Sequence, residues 1–256
     1  MRRPPVRAAV GAAGVLLVLT GCGGAGPAVQ QQTTRPTLDW VPDTPTRTDD
    51  EPGVIDPNTA GRTAHPDGRV WHLTLKPHQA PVEDSQWPDA GQLFSTSELK
   101  AIFPDSTSIA TTDCDQGTWP DGDETAKNTE CKIEVTLPGD YSASMIRVGI
   151  EGFGAAFAMT RRFDGQRATA RKTSRDFPDN YTFWQDGSFG AKKVYRDGDV
   201  VTALISDGTI AGQFTLQFSG FSHLVKDDYD ASQEAVYTQV MPLLVQTLAA
   251  HMPRTR

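Results

Sequence analysis

The sequence predicts an α+β domain: an antiparallel sheet with helices packed on it, a single domain behind a disordered linker. Three observations point there. Cys131–Leu137 alternates apolar and polar residues as a strand does. Two Gly-containing turns, Arg196–Asp199 and Asp207-Gly208, join three strand-length segments into consecutive hairpins. Helical patterns with start signals stand at both ends of this strand-rich region.

The elements follow in order. Ser95-Thr-Ser-Glu98 has the spacing of a capping box and opens a short helix carrying Leu99, Ile102 and Phe103, which Pro104 ends. Ser108–Thr112 reads as a strand leading to Cys114, and a polar loop over 115–129 separates it from the strand at Cys131. Ser144–Glu151 is the next strand. From Gly154 to Lys172 apolar residues give way to Arg161, Arg162, Arg167 and Arg171, which reads as a surface helix weakened near Gly165. Phe189–Tyr195, Val200–Ser206 and Ile210–Phe218 are the strands of the two hairpins. Between Asp230 and His251, residues Val236, Val240, Leu243, Leu244 and Leu248 share one face of a helix that Pro242 should bend.

The compact core is expected over about 92–252, within a domain spanning 68–256. The segment Arg69–Leu75 fits either an extra edge strand or an ordered linker. Residues 22–67 are rich in Gly, Pro, Thr, Gln and Asp without apolar period, which predicts a flexible spacer. A docking strip anchored by Trp40 is the alternative reading of that segment.

Residues 1–21 carry Arg2, Arg3 and Arg7, a short apolar run from Ala8 to Leu19, and then Leu19-Thr20-Gly21-Cys22. The run is shorter than the roughly 20 apolar residues a membrane-spanning helix needs. The pattern resembles a bacterial lipoprotein signal peptide. The resemblance implies cleavage before Cys22, acylation of that cysteine, and a mature chain held on the outer face of a cytoplasmic membrane. A non-lipidated secretory signal is the competing reading. Loss of the three arginines ahead of Cys22 takes the net charge from −8 to −11. Such acidity, with no basic cluster, argues against nucleic acid as a partner and against electrostatic adhesion to anionic lipid.

With Cys22 assigned to lipid, Cys114 and Cys131 remain as an even pair in an oxidising compartment, where a disulfide is the expected state. Free thiols and a metal site are the alternatives. No second cysteine pair and no intervening histidine supports a metal, and no metal site or cofactor is expected.

Catalytic motifs are sparse. Ser97-Glu-Leu-Lys100 matches the Ser-x-x-Lys element of penicillin-binding enzymes, but no Lys-Thr-Gly accompanies it, and helix capping explains it better. The histidines form no recognisable triad or zinc motif; His251 is expected to favour a helix C-terminus. Asp113, Asp115, Asp121, Asp123 and Glu124 lack the register of a calcium loop and read as a solvated turn. No catalytic residue is assigned. The aromatic run Phe177–Trp184 reads mainly as packing, with Tyr181 and Trp184 as candidate ligand-binding residues of a loop.

The Arg-Arg start, Ala/Gly-rich signal, Pro/Thr spacer and small cysteine-paired domain resemble actinobacterial cell-envelope lipoproteins. The order helix, strands, helix, strands, helix is loosely similar to the extracellular sensor domains of mycobacterial serine/threonine kinases. That likeness has no diagnostic motif and carries over no functional residue. The expected function is a lipid-anchored extracytoplasmic domain that binds an unknown small ligand or an envelope protein. A non-catalytic scaffold is the alternative, followed by a cell-envelope hydrolase.

Overall fold

The computed structural model describes residues 63–71, 88–118, 125–225 and 228–253, together with two short strands at 46–47 and 54–56. The signal segment, Cys22 and Trp40 lie outside the described residues. What is described forms the antiparallel sheet with packed helices that the sequence predicts.

The strands are β1 (Thr46–Arg47), β2 (Val54–Asp56), β3 (Ser108–Thr118), β4 (Thr125–Thr136), β5 (Ser144–Ala155), β6 (Tyr181–Trp184), β7 (Lys193–Asp197), β8 (Val200–Ser206) and β9 (Ile210–Ser219). They lie in the order β1-β2-β6-β7-β8-β9-β5-β4-β3. Three strands meander from the β3 edge inward to β5. The chain then leaves through α2 (Ala156–Thr173), re-enters at β6 and meanders back until β9 pairs with β5 at the centre. Every pairing is antiparallel except β2 with β6. The strands β1 and β2 fall within the stretch expected to be spacer, and they extend the sheet beyond β6.

Period-2 alternation divides the side chains between two unequal faces. On one face Ile133, Val148, Leu216 and Val201 are fully or almost fully buried beneath α1 (Thr96–Ile102) and α4 (Met241–His251). Phe153, Phe214 and Trp71 pack edge-on or tilted there, with ring centroids 5.4–6.1 Å apart. Each such ring contributes about 1.5–3 kcal/mol through burial. On the other face α2 covers only part of the sheet. Its Met159 and Phe163 seat against Leu204, Ala211 and Tyr195, so the helix expected to lie on the surface buries one stripe.

Local chemistry sets the boundaries. The Ser95 hydroxyl accepts from the Glu98 N–H while Glu98 reaches back to the Ser95 N–H, completing the capping box. Asp228 caps α3 (Tyr229–Ala235) by accepting from the Ala231 N–H. The bend anticipated at Pro242 is a π-helical turn over Val236–Val240 between α3 and α4. Pro242 lacks the N–H that would continue the α register, and the wider turn keeps its ring clear of the preceding carbonyls.

Three expectations shift. The polar loop at 115–129 is shorter than expected, because β3 and β4 continue their ladder across bulges to Thr118 and Thr125. The strand expected from Phe189 begins at Lys193, since Phe189 sits at φ +58° in a 3₁₀ turn that no strand accommodates. The aromatic stretch at Tyr181–Trp184 is strand β6 rather than loop.

Cys114 and Cys131 are joined by a disulfide across β3 and β4. Gly91 sits against it: a Cβ there would come within 3.2 Å of the Cys114 Sγ.

Candidate functional site

Two groups of polar side chains among the described residues centre on a buried member. The first lies where α1, α4 and the segment 63–71 meet. His251, fully buried, has a carbonyl acceptor, Leu93 O, 3.1 Å from Nδ1 and a carboxylate acceptor, Glu98 Oε1, 2.7 Å from Nε2. Each ring nitrogen therefore faces an oxygen acceptor. Glu98 Oε1 also accepts from the Asp67 N–H at 2.9 Å, and Oε2 accepts from Arg69 at 2.9 Å and from the Ser95 N–H at 2.8 Å.

Burial pushes the Glu98 carboxyl up, but the His251 bond and the N–H groups of Ser95 and Asp67 outweigh it and hold the pKa at about 2. Ligand atoms of Asp67, Glu98 and His251 lie within 4.8 Å of one another, the spacing of a metal-binding set. The Arg69 guanidinium already bridges Asp67 and Glu98, however, and the Glu98 oxygens already accept hydrogen bonds. The cluster is a latch. It fastens 63–71 to the domain, reinforced by the Trp71 N–H donating to the His251 carbonyl at 2.9 Å. His251 does lie in the last turn of α4, where the sequence places it, but it is buried and turned toward Glu98 rather than exposed at the helix end.

The second place is a cleft of about 400 Å³ on the face that α2 only partly covers. Its floor comes from outward-facing residues of adjacent strands: Glu151 of β5, Gln213 and Thr215 of β9, and Thr202 of β8. Tyr195 and Asp197 of β7 form one side with Val200, and Gln166 of α2 closes another. The strand order explains the gathering, because β5, β9, β8 and β7 are consecutive neighbours. The α2-facing register puts Gln213 and Thr215 on the same face as Tyr195.

Gln213 is the unusual residue. It is completely buried, its Nε2 donates to Gln166 Oε1 at 2.6 Å, and its own Oε1 has no partner among the described residues. An unsatisfied buried acceptor costs about 1–3 kcal/mol. Burial raises the Tyr195 phenol pKa; the Thr202 hydroxyl opposes that shift, while Glu151 and Asp197 add to it. The Glu151 carboxylate is 3.5 Å from Arg162.

The residues singled out from sequence are placed as follows. Trp184 is buried in the α4-side core against Phe189. Tyr181 lies half-buried on the α2 side, stacked on Phe183. The two project from opposite faces of β6 and are not brought together. Ser97 bonds the Ser95 hydroxyl at 2.9 Å while Lys100 turns to Ser106, so the Ser-x-x-Lys pair forms no nucleophile–base contact. Asp113 is paired with Lys132 at 2.7 Å, which lowers its pKa; residues 121–124 lie outside the described residues.

The chain matches no family model, no curated protein and no solved structure. No helix among the described residues is long and apolar enough to cross a membrane.

Proposed function

We propose that this protein is a lipid-anchored extracytoplasmic binding domain whose ligand site is the cleft beside α2. The observation that carries the site is Gln213: a fully buried amide lining a polar cleft, its oxygen without a partner among the described residues. Buried polar groups are almost always satisfied, and a group left open beside a cleft is the kind a ligand completes. Apart from Gln166 of α2, the rest of the lining comes from strands paired on both sides or joined by a hairpin, the kind of support a preorganised site needs. The address rests on the sequence, through the Leu19–Cys22 pattern and the apolar run before it. Several acyl chains at Cys22, each contributing about 0.8 kcal/mol per buried methylene, would hold the domain at the membrane.

Two experiments test the two halves. Cys22→Ser should move the protein from the membrane to the soluble fraction; unchanged sedimentation with membranes contradicts the anchor. Thermal melts of the full chain against metabolites, cell-wall fragments and lipids test the cleft. A ligand at about 100 times its Kd stabilises by about 2.7 kcal/mol. That shift should be lost in Gln213→Leu, and an equal shift in both proteins contradicts the cleft as the site.

A further inference from the structure

We infer that the cleft takes a ligand whose binding end is a primary ammonium group. The inference rests on the reading of the cleft as the ligand site and adds the chemistry that site selects.

The charge of the lining decides the first point. Glu151 and Asp197 line the cleft, and among the described residues no lysine or arginine does. Arg162 offsets Glu151 in part, from 3.5 Å, but donates from outside the lining. A phosphate, sulfate or carboxylate entering here would meet like charge without a counterion. The surrounding chain is acidic as well, at −8, which favours the approach of cations.

Hydrogen-bond direction decides the second. Because Gln213 gives its Nε2 to Gln166, the group it leaves open is an oxygen, which needs a donor. Thr215, two residues along β9, and Thr202, its partner on β8, line the same cleft. An ammonium carries three donors and no acceptor, matching a lining of carboxylate, amide and hydroxyl oxygens.

A neutral sugar fits less well. Sugars commonly lie flat on an open aromatic face, and the cleft's aromatic ring does not offer one. Tyr195 is 7 % exposed and is met edge-on by Phe163, with centroids 5.3 Å apart. On its other side it neighbours Phe183 at 6.2 Å.

Isothermal titration of the full chain at low ionic strength tests this, using spermidine and 1,5-diaminopentane as amines, cellobiose as a neutral polyol and citrate as an anion. The amines should bind at one site, weakened about tenfold or more by Asp197→Asn and by Glu151→Gln. Glu134→Gln, the same charge change at an exposed β4 position away from the cleft, should leave binding unaltered. Equal weakening by Glu134→Gln would reduce the effect to general electrostatics and overturn the inference. Failure of both amines to bind also overturns it. Binding of cellobiose or citrate instead, abolished by Gln213→Leu, would remove the ammonium specificity while leaving the cleft as the ligand site. Binding that Gln213→Leu leaves intact would count against the cleft itself.

Discussion

The latch around Glu98 and the cleft around Gln213 each centre on a buried polar side chain, and the two centres differ in how they are satisfied. At the latch, both Glu98 oxygens and both His251 nitrogens have partners, supplied by the segment 63–71, the chain at Leu93–Glu98 and α4. At the cleft, Gln213 has one partner for its nitrogen and, among the described residues, none for its oxygen. A closed network fixes the chain in place, since losing any member strands the others. An open one carries a cost in the free protein that a ligand can offset. The difference separates a structural cluster from a binding one even though each centres on a buried side chain, and it holds despite the metal-like spacing of the first.

Breaking the latch should have the largest effect. Glu98→Ala leaves the buried His251 and the Arg69 head group without their carboxylate, which should cost about 3–5 kcal/mol in chemical denaturation. A change below about 1 kcal/mol would show the network to be dispensable.

The same carboxylate gives a pH signature. Its folded pKa, about 2, lies below the ordinary 4.5, so its stabilisation is complete above 4.5 and is lost as pH falls toward 2. The wild-type advantage over Glu98→Gln should therefore shrink across that interval. An advantage that stays constant from pH 5 to pH 2 would contradict the ion pair.

The disulfide ranks next. It spans a sequence separation of 17, for which the chain-entropy relation gives about 3 kcal/mol. The Cys114→Ser/Cys131→Ser double variant should lose roughly that much in equilibrium unfolding, while oxidised and reduced forms of that variant behave alike.

The cleft should show the smallest change in stability and the largest in binding. Gln213→Leu forfeits one hydrogen bond to Gln166 but removes an unsatisfied buried acceptor, so its stability should stay within about 1.5 kcal/mol of wild type. A loss as large as that of Glu98→Ala would place Gln213 in a closed network like the latch and erase the contrast.

Much of the fold was legible because it is written locally. The Ser95–Glu98 capping box, the turns at Gly198 and Gly208, and the alternation of Cys131–Leu137 each lie within a few residues, where spacing alone gives the geometry. Strand β6 was not legible. Four residues following a 3₁₀ turn at Pro178–Asn180 give too little alternation to distinguish strand from loop, and the sheet neighbours fix the outcome. The two polar clusters were not legible for a different reason. Glu98 and His251 are 153 residues apart, and the cleft draws one or two residues from each of four strands and one from a helix. In sequence, Gln213 and Thr215 are simply the polar members of an alternating strand. The signal that could have found them is that β9 is central: a glutamine on a central strand needs a reason to face a helix.

The most direct test is the side-chain amide resonance of Gln213 in ¹⁵N-labelled full chain, assigned by its disappearance in Gln213→Leu. On titration with the strongest stabiliser from the melting panel, the Gln213 and Gln166 side-chain amides should shift in step with binding. If both stay fixed while resonances elsewhere in the domain move, the ligand binds elsewhere and the account of the cleft is wrong.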